Sequence, residues 1–117
     1  MKPESIVNDY FSSWRTNDPE KVEALFSEDI SVRGPLGLIE GAKAYRNALE
    51  WLFGITKELV IVKQWVDGPD VLTWFEIQHS ESNELISGVN WLKVENNLIS
   101  QVRVAFDPRP ILPPENV

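Results

Sequence analysis

The chain has 117 residues, of which 43% are hydrophobic and 25% are charged, the balance of one ordinary globular domain. Its formal net charge of −7 argues against a nucleic-acid partner, because binding to a phosphate backbone needs clustered lysine and arginine. There is no cysteine and one histidine, His79, so we expect no disulfide, no metal and no cofactor. No apolar run reaches the length of a membrane span, and the start of the chain lacks the apolar core of a signal peptide. We therefore expect no membrane partner and a cytoplasmic location.

The first half of the chain has the periodicity of helices. In the first segment the apolar residues recur at helical spacing, at Ile6, Val7, Tyr10, Phe11 and Trp14. Asp18-Pro19 is typical of a helix start, because Asp caps the first turn and Pro needs no donor there. This second helix would bury Val22, Leu25 and Phe26. A third helix is predicted from Ala42 to Phe53, ended by Gly54, with one apolar face made of Tyr45, Ala48, Leu49, Leu52 and Phe53.

The second half of the chain has the alternation of strands. A short strand over residues 30–33 and a turn over 34–37 precede the third helix, and four strands follow it over 58–66, 71–80, 85–94 and 98–106. The last two would meet at Asn96-Asn97, since Asn tolerates a left-handed backbone. The proline-rich residues 108–117 are expected to be extended rather than helical.

This order of elements predicts a single α+β domain over residues 1–117, with three helices on the concave face of a curved, mainly antiparallel sheet. Alternation along the strands places Trp74, Val89 and Trp91 on the outer face of that sheet. An exposed apolar patch of this kind usually marks an interface, and Trp is enriched in interfaces. We therefore predict a homodimer through the outer sheet face.

Four stretches carry a resemblance to a known family. They are YFSSWRTND at residues 10–18, VEALFSEDISV at 22–32, IEG at 39–41 and VRVAFDP at 102–108. Together with the order of elements, they resemble the nuclear transport factor 2-like superfamily, which includes ketosteroid isomerases, SnoaL-type polyketide cyclases and limonene epoxide hydrolases. The resemblance covers about residues 4–108 and implies a cystatin-like cone. It does not assign an activity, because this fold hosts unrelated ones.

The resemblance to ketosteroid isomerases suggests roles for individual residues. Tyr10 is similar in position to the tyrosine that donates to the steroid oxyanion, and Asn90 resembles the second donor, a protonated Asp in that family. The general base of the family falls on Gly34, which cannot abstract a proton, so steroid-type isomerisation is not expected. Histidine is the side-chain type whose unperturbed pKa lies near neutrality, so the one histidine, His79, is the candidate replacement base. The alternatives are a core role for Tyr10 and a solvated turn position for His79.

Three functions therefore remain open. The first is binding of a small, mostly apolar molecule that carries a carbonyl or hydroxyl group. The second is an isomerase, cyclase or hydrolase that uses His79 as its base, and the third is an interaction module without a ligand. A cavity of about 300 Å³ or more would favour a ligand over the third possibility. The expected ligand contacts share the inward face of their elements: Tyr10, Trp14, Val32, Leu49, Phe53, Phe75, Ile77, Asn90, Val102, Val104 and Phe106.

Overall fold

A computed structural model describes residues 2–111, and within them the chain forms three helices and six strands. The helices are α1 (Pro3–Arg15), α2 (Pro19–Glu23) and α3 (Ala42–Gly54). The strands are β1 (Phe26–Gly34), β2 (Gly37–Glu40), β3 (Thr56–Asp67), β4 (Asp70–His79), β5 (Leu85–Glu95) and β6 (Leu98–Phe106). A short 3₁₀ turn, Arg109–Ile111, ends the described part of the chain.

The strands form one curved, unclosed sheet in the order β2-β1-β6-β5-β4-β3. All neighbouring strands run antiparallel except β1 and β6, which are parallel. The predicted β4–β5 hairpin is present, and it pairs Thr73 with Asn90 and Phe75 with Gly88. The predicted α+β class is therefore confirmed.

Local sequence signals account for the helices. All five apolar residues of the predicted stripe on α1 are buried. The Asp18 carboxylate accepts a hydrogen bond from the Lys21 backbone N–H at 3.1 Å, which satisfies one of the free donors at the start of α2. The Trp14 indole donates to the Thr56 hydroxyl at 3.0 Å and so ties α1 to the first residue of β3.

Alternation accounts for the strands in the same way. Along β5 every second residue from Ile86 to Val94 is buried, and Asn90 is one of them. In the turn before β6, Asn96 and Asn97 have φ angles of 53° and 64°. The left-handed backbone predicted for these two residues is therefore confirmed. The inner face of the sheet therefore packs on the aromatic side chains of α1 and α3, which makes one core.

The prediction for the segment after α2 was wrong in two respects. Helix α2 ends at Glu23, and Phe26 begins β1 instead of belonging to the helix. Strand β1 has nine residues rather than four, because Phe26 pairs with Ile99 of β6. Strand β2 was not predicted at all; it pairs with β1 through a turn at Gly37, whose φ is 114°.

The prediction that residues 108–117 are extended was also wrong for the part of that segment that the structure describes. Arg109–Ile111 form a 3₁₀ turn, in which the Ile111 N–H donates to the Pro108 carbonyl at 3.0 Å. The Asp107 carboxylate accepts from the Arg109 N–H and pairs with its guanidinium, and these bonds lower the pKa of Asp107. The rest of that prediction, residues 112–117, lies outside the described residues. Among residues 2–111, no helix is long and apolar enough to cross a membrane.

Candidate functional site

An apolar cavity of about 140 Å³ lies between α3, the β1–β2 turn and the end of β6. Fourteen residues line it: Val32, Gly34, Pro35, Leu36, Gly37, Ile39, Tyr45, Ala48, Leu49, Trp51, Leu52, Val104, Phe106 and Ile111. Its volume is below the roughly 300 Å³ that would have favoured a ligand over an interaction module, so the volume alone does not separate these two functions. It is close to the roughly 150 Å³ of an engineered apolar cavity that binds benzene, so it has room for a group of about six heavy atoms.

Two tyrosine hydroxyls meet in the core behind one wall of this cavity, whose own surface is almost entirely apolar. Tyr10 on α1 and Tyr45 on α3 lie with their oxygens 2.8 Å apart, both side chains are buried, and Tyr45 also lines the cavity. Burial raises the pKa of Tyr10 to about 12, since desolvation outweighs the opposite effect of the hydrogen bond between Tyr10 and Tyr45. Burial also raises the pKa of Tyr45, and the neighbouring Tyr10 adds to that rise. Both hydroxyls are therefore protonated at neutral pH.

Asn90 lies on the inner face of β5, next to Thr73 on β4 and Val104 on β6. It is 2% exposed, and within residues 2–111 its side-chain oxygen has no hydrogen-bond partner. The Thr73 hydroxyl accepts from Gln64 at 3.2 Å. A buried oxygen without a partner costs about 1–3 kcal/mol. Asn90 pairs with Val104 on the neighbouring strand, and Val104 lines the cavity. Asn90 itself is not among the lining residues.

His79 ends β4 on the turn toward β5. Its Nδ1 accepts hydrogen bonds from the backbone N–H groups of Glu81 and Ser82, at 3.1 and 3.3 Å. The neutral imidazole therefore carries its proton on Nε2, and the lone pair that a base needs is used by the turn. His79 does not line the apolar cavity.

Gly34 lines the cavity at the position where the resemblance placed a general base. A Cβ built on Gly34 would lie 2.6 Å from Cγ1 of Val104, closer than carbon atoms approach one another. The Val104 side chain thus occupies the space beside Gly34, and a residue with a side chain at this position would have to displace it.

The structure brings together only part of the predicted ligand set. Val32, Leu49, Val104 and Phe106 line the cavity. The other predicted contacts are buried in the core and do not line it: Tyr10, Trp14, Phe53, Phe75, Ile77, Asn90 and Val102. Sequence reasoning missed Tyr45, although its place on the apolar face of α3 beside Leu49 was a usable signal. It also missed Leu36 and Ile111, which reach the cavity from a turn and the 3₁₀ segment, and it left the role of Trp51 on α3 open between the pocket and the dimer interface.

A second depression, of about 480 Å³, lies on the outer face of the sheet. Its walls include Leu72, Val89, Trp91, Arg33 and Arg103. Trp74 beside it is 42% exposed, and the Trp91 indole donates to the Asp70 carboxylate at 2.8 Å. The outward orientation predicted for Trp74 and Trp91 is therefore confirmed. Elsewhere in residues 2–111, no group of three or more His, Cys, Asp or Glu side chains is arranged to hold a metal ion.

Comparisons with known proteins agree with this architecture. The chain is similar to an NTF2-like protein of unknown function from Cytophaga hutchinsonii, with 24% identity, a TM-score of 0.81, and 95% of each chain covered. It is similar to a steroid delta-isomerase from Pseudomonas aeruginosa, with 16% identity, a TM-score of 0.78, and 92% of this chain and 81% of that chain covered. It is also similar to an LEH-like epoxide hydrolase from M. tuberculosis, with 19% identity, a TM-score of 0.76, and 92% and 84% covered. At these identities the likeness concerns the fold and not the activity.

The sequence itself decides the family. No curated protein matches the chain, but the family model described as a SnoaL-like domain matches residues 7–102, which is most of its length. The chain therefore belongs to the SnoaL-like domain family.

Proposed function

We propose that the chain binds a small, mostly apolar molecule whose carbonyl or hydroxyl oxygen accepts a hydrogen bond from Tyr45. The observation that carries this proposal is the apolar cavity lined by Tyr45, whose hydroxyl bonds to that of Tyr10 in the core behind the cavity wall. Apolar walls with one placed polar group are the usual composition of a small-molecule site.

The number of protons on the two hydroxyls supports a role for Tyr45 as hydrogen-bond donor to a ligand. Two neutral hydroxyls carry two protons, and one of these lies between the two oxygens. When Tyr10 donates to Tyr45, the proton of Tyr45 is left to point elsewhere, and Tyr45 is the member that lines the cavity. A carbonyl oxygen fits this place better than a second donor, because it offers only acceptor positions.

A pair of matched variants tests the proposal. Tyr45→Phe removes the hydroxyl of the tyrosine that lines the cavity, whereas Tyr10→Phe removes the neighbouring hydroxyl and leaves that of Tyr45 in place. We expect 2-hexanone to bind the wild-type chain, as measured by NMR titration. Tyr45→Phe should weaken this binding by about 2- to 13-fold, the value of one net hydrogen bond of 0.5–1.5 kcal/mol, and Tyr10→Phe should weaken it less. No saturable binding, or an equal effect of the two variants, would contradict the proposal. Native mass spectrometry of freshly purified protein should also detect a retained ligand.

An enzymatic activity with His79 as its base is a separate prediction. In the folded turn the Nδ1 lone pair is used by Glu81 and Ser82, and Nε2 carries the proton, so catalysis with His79 as the base would require this turn to open. Any turnover of a ketone or epoxide that survives His79→Ala would exclude this role for His79.

Homodimerisation through the outer sheet face is a second proposed function. It is supported by the exposed Trp74 and Trp91 and by the depression beside them. Removal of this apolar surface from water would contribute about 25 cal/mol per Å². The depression on the outer face and the cavity are adjacent, because Gly34 and Val104 line both of them.

Sedimentation velocity tests the dimer with two tryptophans of similar exposure. Trp74 is 42% exposed on the outer face, and Trp51 is 49% exposed on α3. We expect a dimer at micromolar concentration for the wild type and for Trp51→Glu, and a monomer for Trp74→Glu. A wild-type monomer at that concentration, or a dimer that tolerates Trp74→Glu, would refute this interface.

A further inference from the structure

The apolar surface of the cavity continues outward at one end. Its inner walls are nearly inaccessible to solvent, with Val32, Tyr45 and Leu49 all buried. At the other end Leu36 and Trp51 line the cavity and are nevertheless 54% and 49% exposed. These two residues, one on the β1–β2 turn and one on α3, form the mouth of the cavity.

The volume of the cavity limits what can lie inside it. About 140 Å³ accommodates a group of about six heavy atoms. If a ligand oxygen reaches Tyr45 at the inner end, a longer molecule must extend its remaining atoms past Leu36 and Trp51. A flexible chain can follow this path by rotation about its single bonds, whereas a rigid fused-ring molecule cannot.

We propose that the ligand is a linear aliphatic carbonyl compound, whose carbonyl end lies at Tyr45 and whose chain leaves the cavity between Leu36 and Trp51. This inference rests on the proposed function, because it places the same carbonyl on the same hydroxyl. It adds the shape of the ligand and assigns Leu36 and Trp51 the role of setting chain-length preference.

A series of 2-alkanones from 2-pentanone to 2-decanone measures the role of the mouth. A methylene group that becomes fully buried strengthens binding by about fourfold, and one that is half buried by about twofold. We expect each added carbon to strengthen binding by about fourfold while the chain fills the cavity, and by about twofold once the chain extends beyond the cavity. 1-Decalone, which also has ten carbons but two fused rings, should bind at least about tenfold more weakly than 2-decanone.

Leu38 provides a matched control for Leu36. Both leucines are 54% exposed, but Leu38 lies on β2 outside the cavity lining. Leu36→Ser should weaken 2-decanone binding about three- to fivefold more than it weakens 2-pentanone binding, while Leu38→Ser should change neither. Trp51→Ala should act like Leu36→Ser. The circular dichroism and melting temperature of each variant establish that it is folded.

The outcomes separate this inference from the proposed function. If the short ketones bind and depend on Tyr45, but affinity stops rising beyond about six carbons, the chain does not use the mouth and the inference is wrong. Equal effects of Leu36→Ser and Leu38→Ser, or tighter binding of 1-decalone than of 2-decanone, would also overturn it. If no ketone of any length binds, the proposed function itself fails.

Discussion

The contact between Gly34 and Val104 allows a quantitative test of the packing beside the cavity. In Gly34→Ala the new Cβ would lie 2.6 Å from Cγ1 of Val104, about 1 Å closer than the optimal separation of roughly 3.5–4.0 Å between carbon atoms. Val104 cannot avoid it by an easy rotation, because a β-branched side chain has few allowed rotamers. Over-packing of this kind costs about 1–3 kcal/mol, and we expect Gly34→Ala to lower the free energy of unfolding by that amount.

A double-mutant cycle attributes the loss to this contact. In a Val104→Ala background the clashing methyl group is absent, so Gly34→Ala should then change the free energy of unfolding by less than about 0.5 kcal/mol. Gly54→Ala is the control, since a Cβ on Gly54 would have no neighbour within 4 Å. Urea unfolding gives both the midpoint and the slope for each variant, and an unchanged slope shows that the midpoint reports stability.

An additive cycle would refute the reasoning. If Gly34→Ala costs the same in the wild type as in the Val104→Ala background, the loss comes from the backbone or from another neighbour. The same contact bears on chemistry, because Gly34 is the position at which the resemblance to ketosteroid isomerases placed a general base. An acid introduced at position 34 would fit beside the cavity only after Val104 is reduced in size.

Two further outcomes follow from buried polar groups. The raised pKa values of Tyr10 and Tyr45 mean that the folded chain keeps protons that the unfolded chain loses. The corresponding stability is complete below about pH 10, the unfolded tyrosine value, and is lost as pH rises toward 12; for Tyr10 alone the loss is roughly 2–3 kcal/mol. Urea midpoints at pH 9, 10 and 11 should therefore fall steeply for the wild type and less for Tyr10→Phe, and parallel curves would contradict this. Asn90→Leu should raise the free energy of unfolding by about 1 kcal/mol, because it removes a buried oxygen without a partner; a loss of stability in thermal or urea unfolding would show that Asn90 has a partner.

Elements defined by local patterns were predictable. The stripe from Ile6 to Trp14 requires only helical periodicity, and it defined the buried face of α1. The Asp18-Pro19 start of α2 and the Asn96-Asn97 turn depend on the backbone preferences of two adjacent residues. Alternation also identified the buried face of β5, including Asn90. These features are encoded within a few residues of one another, so a single sequence contains the information for them.

Features that depend on distant partners were not predictable in the same way. Phe26 lies in a strand because it pairs with Ile99, and β2 exists because a four-residue segment returns along β1. Both pairings involve short segments whose own periodicity is too weak to indicate a strand.

The candidate site is mainly a feature that depends on residues distant from one another in the sequence. The sequence by itself determined that Tyr10 and Asn90 are buried, and that Val32, Leu49, Val104 and Phe106 face inward. Only the tertiary structure decided that Tyr10 bonds to Tyr45 from another helix, and that Leu36, Trp51 and Ile111 border the same cavity. The reason is physical: periodicity fixes the side of an element on which a residue lies, whereas a cavity depends on the distances between elements, which are set by the packing of the whole core.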